Sequence, residues 1–231
     1  MERGGVTAPG ALPSLHGLVI GVLGGTGPQG RGLARRFAGA GLHVLVGSRD
    51  ERRAAEVAGG LAAGPGAVSG LGNAACAARA DLVVVAVPWA GHADLLRGVA
   101  AELAGKVVVD CVNPLAVDRA GAYALAVPEG SACQQAAALL PRSRVVGAFH
   151  HVSAVVLLDE TAERVDTDVM VVGDDRQATD LVQALASLVP GMRGVYAGRL
   201  RNARQVEALA ANLISVNRRY RVHAGVRVTG P

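Results

Sequence analysis

The sequence is poor in aromatic residues, cysteine and lysine, and each shortage excludes a class of function. Aromatic side chains make up 3% of the 231 residues, which leaves few platforms for stacking the bases of single-stranded nucleic acid. The three cysteines, Cys76, Cys111 and Cys133, lie far apart and form no CxxC pair, so neither a disulfide framework nor a metal site is predicted. Reduced thiols are typical of the cytoplasm, and we expect the protein to work there.

Several recurrent signatures are also missing. No apolar run approaches the ~18–20 residues that span a bilayer, so no membrane contact is predicted. The sequence lacks HExxH, GxSxG and Walker motifs, and Lys106, its only lysine, has no tyrosine four residues earlier, as short-chain dehydrogenases require. The net charge of +4 suits an anionic small molecule at least as well as DNA. We therefore predict a small-molecule partner and no nucleic acid.

What the chain does have is a regular alternation of short apolar segments and helical patterns. Hydrophobic residues make up 51% and charged residues 18% of the sequence, which excludes disorder for most of its length. Strands are predicted at residues 18–23, 43–47, 67–70, 82–87, 106–112, 143–148, 167–173 and 194–197. Helices are predicted at residues 30–40, 50–61, 90–103, 131–140, 175–188 and 202–220. This alternation predicts an α/β protein with a Rossmann-type, doubly wound parallel sheet.

A glycine-rich loop joins the first predicted strand to the first helix. It contains Gly25-x-Gly27-x-x-Gly30, in which Gly25 allows a tight turn, Gly27 leaves room for a pyrophosphate, and Gly30 lets helix and strand pack closely. The amides of the helix N-terminus would face the phosphate charge. A glycine-rich turn without a ligand is the alternative, but the strand–loop–helix context favours dinucleotide binding.

The end of the second predicted strand indicates which dinucleotide binds. NAD sites usually carry an acidic residue there, whereas this chain has Ser48 and Arg49, with Arg53 one helical turn later. A hydroxyl and a guanidinium suit a 2′-phosphate, and Asp50 is expected to cap the next helix instead. The sequence therefore favours NADP(H) over NAD. The alternative is that these arginines form a solvated surface that binds no ligand.

Further blocks carry a family resemblance. GVLGGTGPQG at the first loop is followed in order by VPWAGH, VVGAFHHVSA, DTDVMVVGDD and NRRYRVHAGVR. Together they resemble the NADPH-dependent reductases of the deazaflavin coenzyme F420 (F420:NADP oxidoreductases), from about residue 18 to the C-terminus. The run ALAAN at residues 208–212 departs from the family pattern, and residues 1–17 have no counterpart in it.

The resemblance implies an oxidoreductase that transfers a hydride directly between NADPH and F420, as a homodimer or larger homo-oligomer. The glycine, proline and serine content of residues 1–17 predicts a flexible leader. The resemblance divides the rest of the chain into an NADP-binding Rossmann domain (18–152) and a small C-terminal α/β lobe (153–231) that completes the deazaflavin site and makes oligomer contacts. Because the two cofactors carry the chemistry, no catalytic side chain is required. Two alternatives remain open: reduction of another acceptor (a flavin, imine or carbonyl), and a non-catalytic NADP sensor.

Site residues follow from the resemblance position by position. The phosphate loop corresponds to Gly25, Thr26, Gly27, Pro28, Gln29 and Gly30, and the 2′-phosphate contacts to Ser48, Arg49 and Arg53. The nicotinamide side corresponds to Val87, Pro88, Trp89 and His92. The segments that face the stacked rings contain Asn113, Pro114, His150, His151, Val152, Ser153 and Ala154.

Three roles stay open at the level of sequence. Either one of His150 and His151 bonds to the backbone while the other lines the site, or one of them supplies a proton to the reduced deazaflavin. Trp89 is either a wall of the site or an edge of the core. The basic residues Arg218, Arg219, Arg221 and Arg227 either attract the anionic tail of F420 or form a solvated helix end.

Overall fold

Ten strands and eight α-helices are present in a computed structural model that describes residues 12–61 and 65–230. The strands are β1 (Val19–Leu23), β2 (His43–Ser48), β3 (Val68–Gly72), β4 (Leu82–Val85), β5 (Val107–Asp110), β6 (Leu115–Val117), β7 (Ala122–Ala124), β8 (Arg144–Gly147), β9 (Thr167–Gly173) and β10 (Met192–Gly198). The helices are α1 (Pro28–Gly39), α2 (Glu51–Leu61), α3 (Asn73–Arg79), α4 (His92–Gly98), α5 (Ala132–Leu139), α6 (Ala154–Leu158), α7 (Arg176–Ser187) and α8 (Ala203–Tyr220).

Eight of these strands form one sheet in the order β10-β9-β8-β5-β4-β1-β2-β3, and β6 and β7 form a separate antiparallel hairpin. Neighbouring strands of the sheet are parallel except β8 and β9, which pair antiparallel. The chain winds outward from β1 through β2 to β3 and then returns to place β4 on the other side of β1. The predicted doubly wound fold is confirmed, and β1 and β4 flank the switch point where such sheets bind ligands.

Helices cover both faces of the sheet, because successive residues of a buried strand enter opposite cores. Along β4, Leu82 and Val84 join one core cluster, and Val83 and Val85 join the other. The first cluster takes apolar residues of α1, α2, α6 and α7, and the second takes those of α3, α4, α5 and α8. In the described part of the chain, no helix is both long and apolar enough to cross a membrane.

Some predicted bounds differ from the structure. The helix predicted at 90–103 is a short 3₁₀ turn (Trp89–Gly91) followed by α4, which ends at Gly98 because glycine is a poor helix former and Val99 leaves the helical conformation. The strand predicted at 82–87 stops at Val85. The hairpin β6–β7 and the short helices α3 and α6 were not predicted, since three to seven residues show no clear periodicity.

The sheet runs across the predicted boundary at residue 152, since β9 and β10 extend it beyond β8. The division into two domains therefore stays a prediction. The tail after α8 returns to β9, where the amide of Asp168 donates to the carbonyl oxygen of Val226 at 2.7 Å. Residues 1–11 of the predicted leader lie outside the described residues, while Leu15 from its last part is 5% exposed and packs in the core.

Candidate functional site

The predicted site segments lie where β1, β2, β4, β5 and β8 end, at what we call the carboxyl edge of the sheet. Register places these ends side by side: Leu23 pairs with Gly47 on one side and Val85 on the other, and Asp110 pairs with both Val85 and Gly147. Loops that follow parallel strands meet at one edge. The structure thus brings together segments as far apart in sequence as the ends of β1 and β8, at Leu23 and Gly147.

Two glycines share the turn of the glycine-rich loop. Gly24 has the left-handed backbone conformation (φ +72°), and a Cβ there would lie 2.7 Å from the carbonyl oxygen of Ala86. Gly25 follows inside the turn that the hydrogen bond from the Gly27 amide to the Gly24 carbonyl oxygen closes at 3.0 Å. A Cβ at Gly25 would lie 2.7 Å from the carbonyl oxygen of Val22, so the tight turn leaves no room for a side chain there.

The other two glycines have different surroundings. A Cβ at Gly30 would lie 2.7 Å from both the carbonyl oxygen of Gly24 and Cα of Gly25, so close packing requires glycine there. A Cβ at Gly27 would meet only the Gly24 carbonyl oxygen, at 3.5 Å. Gly27 is the N-cap of α1, Pro28 follows at the first turn, and no side chain caps the helix. The loop thus leaves open space in front of a helix N-terminus, which is what a phosphate group requires.

The end of β2 carries the predicted 2′-phosphate residues. Ser48 is largely buried, and its hydroxyl oxygen accepts a hydrogen bond from the amide of Asp50 at 3.2 Å. Arg49 and Arg53 are exposed, and neither has an ion-pair partner among the described residues. The Asp50 carboxylate accepts from the amide of Arg53 at 3.2 Å, which confirms it as the cap of α2. Its charge is therefore engaged with helix amides, and the two guanidinium groups remain available to an anion.

A buried ion pair that the sequence analysis missed lies beneath the loop after β4. His92 and Asp110 are both 0% exposed, and His92 Nε2 lies 2.6 Å from Asp110 Oδ2. Asp110 Oδ1 accepts from the amide of Val112 at 2.9 Å, and His92 Nδ1 lies 3.0 Å from Gln135 Oε1. Burial alone disfavours the charged imidazole, but the hydrogen bond and charge of Asp110 outweigh it and raise the pKa of His92.

This pair supports two walls of the carboxyl edge. The Trp89 ring, which is half-buried, lies 5.5 Å from the His92 ring between centroids, and the Val112 amide held by Asp110 immediately precedes Asn113. A signal for Asp110 existed in the sequence, since it is the charged residue that ends the apolar run 107–109. His92, predicted on the nicotinamide side, thus hydrogen-bonds below Trp89 rather than facing solvent.

The adjacent histidines are both buried and point to different partners. His150 accepts from Asn113 Nδ2 through its backbone carbonyl at 2.7 Å, and its Nε2 lies 3.6 Å from Cys133 Sγ. His151 Nε2 accepts from the amide of Met170 at 3.2 Å. Burial lowers the pKa of each imidazole to about 4, so both are neutral at pH 7. Each neutral imidazole keeps one N–H, and a role for either histidine in protonating the deazaflavin stays a prediction.

Four buried polar atoms have no hydrogen-bond partner among the described residues: Asn73 Oδ1, Asn113 Oδ1, His150 Nδ1 and His151 Nδ1. Their residues follow β5, β8 or β3, and the end of β3 adjoins that of β2 and so extends the carboxyl edge. An unpaired buried polar group costs about 1–3 kcal/mol, so each of these atoms, spread along the edge from β3 to β8, is a candidate contact for a bound polar group.

Asp110, Cys133 and His150 each place one potential ligand atom within 4.8 Å of the others, and all three are buried. Burial, followed by the charges of Asp110 and Glu207, raises the pKa of the Cys133 thiol well above its ordinary value. Metal coordination needs the thiolate, and Asp110 is already bonded to His92 and Val112. This arrangement favours a hydrogen-bonded cluster over a metal centre.

Helix α1 also positions the segment after β8. Gln29 Nε2 donates to the carbonyl oxygen of Phe149 at 3.2 Å. The Arg36 guanidinium donates to the carbonyl oxygens of Val156 and Leu157 in α6 and to two further carbonyl oxygens in the segment after α6, at 2.7–2.9 Å. Between these contacts lie Val152, Ser153 and Ala154, the first of them buried and the others half-buried. The helix that begins at the phosphate loop thus fixes the segment predicted to face the rings.

The basic residues near the C-terminus do not act as one cluster. Arg227 bonds to the carboxylates of Asp166 and Asp168, and to the carbonyl oxygen of Gly191 at 2.8 Å. It therefore fastens the tail to β9, whereas Arg218, Arg219 and Arg221 are exposed at the end of α8. Their attraction for an anionic tail stays a prediction.

The chain is similar over most of its length to known reductases. The family described as NADP oxidoreductase, coenzyme F420-dependent, matches residues 19–114. The F420-dependent NADP reductase of Methanothermobacter thermautotrophicus is 38% identical over 219 residues, which are 91% of this chain and 94% of that protein. That of Methanocaldococcus jannaschii is 33% identical over 222 residues, 91% and 97% of the two chains. A solved structure from Arthrobacter sp. FB24, named as a candidate F420-dependent NADP reductase, has a TM-score of 0.75 and 27% identity, covering 93% of this chain and 100% of that one.

Proposed function

The chain belongs to the family of F420-dependent NADP reductases, and we propose that a hydride passes directly between NADPH and coenzyme F420 at the carboxyl edge of its sheet. The observation that carries this location is the set of four buried, unpartnered polar atoms at that edge. In the direction of F420 reduction, dihydronicotinamide gives up a hydride, and the deazaflavin accepts it together with a proton from water. Reversal gives NADPH and oxidised F420.

The glycine-rich loop and the end of β2 would hold the nucleotide. The open space at Gly27 admits the pyrophosphate to the amides of α1. Ser48 and the unpaired guanidinium groups of Arg49 and Arg53 lie at the end of the neighbouring strand and suit the 2′-phosphate. The Asp50 carboxylate is held at the N-terminus of α2 by the amide of Arg53.

The loops after β4, β5 and β8 would hold the two rings. Trp89 and Asn113 are positioned through the buried His92–Asp110 pair, and Val152 to Ala154 are held by α1. Asn113 Oδ1 and the neutral imidazoles of His150 and His151 offer hydrogen bonds without adding charge. Their task is to orient the rings and exclude water, since direct hydride transfer needs close, aligned carbons.

The test is to mix purified protein with NADPH and oxidised F420 under anaerobic conditions and follow loss of the oxidised deazaflavin absorbance. We expect F420 to bleach with NADPH and much more slowly with NADH. Asn113→Ala should slow bleaching, while Ser143→Ala, which removes a 2.8 Å hydrogen bond to Leu103 before β8 at the opposite edge, should leave the rate unchanged. Bleaching of a flavin, imine or carbonyl acceptor but not F420 would favour another reductase, and NADPH binding without turnover would favour a sensor.

We also propose that the enzyme works in the cytoplasm as a homodimer or larger homo-oligomer. All three cysteines are free and buried, as suits a reducing compartment. The hairpin β6–β7 contacts α8, and together they expose the large apolar side chains of Val117, Tyr123, Ile214 and Tyr220. Such a patch suits a second copy of the chain. Light scattering during gel filtration would measure the mass, and a monomer at micromolar concentration would contradict the proposal.

A further inference from the structure

Asn73 lies at the carboxyl edge, outside every segment that the sequence analysis assigned to the site. It is the first residue of α3 and directly follows β3. The last residue of β3, Gly72, pairs with Ser48 at the end of β2. Asn73 is therefore a neighbour of the residues proposed to bind the 2′-phosphate, at the end of the edge away from β5 and β8.

The Asn73 side chain has no hydrogen-bond partner in residues 12–61 and 65–230. Its Oδ1 is buried without a hydrogen-bond donor, and no hydrogen bond from the described residues engages the rest of the amide. Most asparagines that begin a helix use their side chain locally, and in this position such a bond is missing. The amide thus keeps both a donor and an acceptor for another molecule.

The space beside this amide is closed on one side and open on the other. Towards β2, a Cβ at Gly47 would lie 2.9 Å from Asn73 Oδ1 and 3.0 Å from Cδ2 of Leu23, so that side is filled. At the end of β3, a Cβ at Gly72 would meet nothing within 4 Å. The open side at Gly72 leaves room for a flat group next to the Asn73 side chain.

The nucleotide has one such group within reach. In NADPH the ribose that carries the 2′-phosphate also carries adenine, so a phosphate at Ser48 and Arg49 places the base beside the end of β2. A carboxamide pairs with adenine by accepting from its exocyclic amine and donating to a ring nitrogen. We propose that Asn73 binds the polar edge of the adenine ring and so contributes to nucleotide selection. This inference rests on the proposed function, since it requires that NADPH binds at this edge.

The test compares NADP⁺ with 1,N⁶-etheno-NADP⁺, in which a bridge removes the amine hydrogens and blocks the adjacent ring nitrogen. Dissociation constants are measured by calorimetry on the full chain. We expect the wild type to bind NADP⁺ at least about fivefold more tightly than the etheno analogue, the worth of one hydrogen bond. Asn73→Ala should weaken NADP⁺ binding by about the same factor and bring the two constants close together. Ser143→Ala, which removes a 2.8 Å hydrogen bond at the opposite edge of the sheet, is the control and should leave the ratio of the constants unchanged.

If the alanine variant does not fold, Asn73→Ser gives the same comparison, because serine is favourable at the start of a helix. An unchanged ratio in the Asn73 variants, with NADP⁺ still bound, would overturn the role of Asn73 and leave the proposed function intact. Equal weakening of both ligands would place the amide on the ribose and would also overturn the adenine contact. Failure of the wild type to bind NADP⁺ would instead contradict the proposed function itself.

Discussion

Gly27 and Gly30 should fail in different ways when a side chain is added, although both belong to the same loop. In Gly30→Ala the new Cβ meets backbone atoms of Gly24 and Gly25 at 2.7 Å, so the loop must shift. Overpacking of this kind costs about 1–3 kcal/mol, which lowers the melting temperature of a chain of this size by roughly 2–12 °C. In Gly27→Val the Cβ meets only one oxygen at 3.5 Å, and the backbone (φ −80°, ψ 165°) is extended. Valine adopts that conformation readily, so the only cost to stability is the replacement of a glycine N-cap, about 0.5–1 kcal/mol.

Gly27→Val should weaken NADPH binding strongly, although it changes stability less than Gly30→Ala does. The valine side chain enters the space through which the pyrophosphate approaches the amides of α1, so the dissociation constant for NADPH should rise at least about tenfold, which corresponds to 1.4 kcal/mol. Calorimetric titration measures this constant, and thermal unfolding without nucleotide measures stability. Normal NADPH binding by Gly27→Val would refute the assignment of the phosphate loop. A melting temperature of Gly30→Ala equal to that of the wild type would refute the packing argument.

Three further outcomes follow from charges in the structure. Arg49→Ala should raise the KM for NADPH about tenfold or more, as loss of a charge-assisted contact implies, and change that for NADH little; equal changes in steady-state assays would contradict the 2′-phosphate assignment. Arg193 and Arg227 hold the pKa of Asp168 below its ordinary value, so Asp168→Asn should lower the free energy of unfolding, measured in urea, above about pH 4. The difference from the wild type should decrease as the pH falls further. A difference that does not depend on pH would contradict this prediction. The unfolded chain protonates His151 more readily than the folded protein does, so the free energy of unfolding should decrease as the pH falls from about 6.5 towards the folded-state pKa of about 4. His151→Gln should reduce the slope of that decrease. An unaltered slope would show that His151 is not buried in its neutral form.

Most of the sheet could be predicted because its strands are buried on both faces. The apolar run at β4 and the helix cap at Asp175, which accepts from the amide of Ala178 at 2.7 Å, depend on residues close in sequence, and local patterns record them. The antiparallel pairing of β8 with β9 depends on how the chain returns after α6, and no local pattern specifies a return direction. The left-handed turn at Gly24 escaped prediction for a similar reason, because three neighbouring glycines allow that conformation equally well.

The sequence predicted which loops form the candidate site, but not the contacts within it. Parallel strands place their carboxyl ends together, so assigning each loop to the end of a strand was enough to place these loops at the carboxyl edge of the sheet. The His92–Asp110 pair joins residues 18 positions apart, and its 2.6 Å contact exists only once β5 and α4 have packed. Asn73 carried no motif, and only the missing partner of its amide in the folded chain singles it out.

One arginine joins the two halves of the proposed site through a single helix. Arg36 lies two turns beyond the phosphate loop on α1, and it donates to main-chain oxygens that follow the ring-facing segment. The element whose first turn faces the phosphate loop is therefore also the element that fastens α6, so the two ends of the site share one support and cannot be repositioned independently.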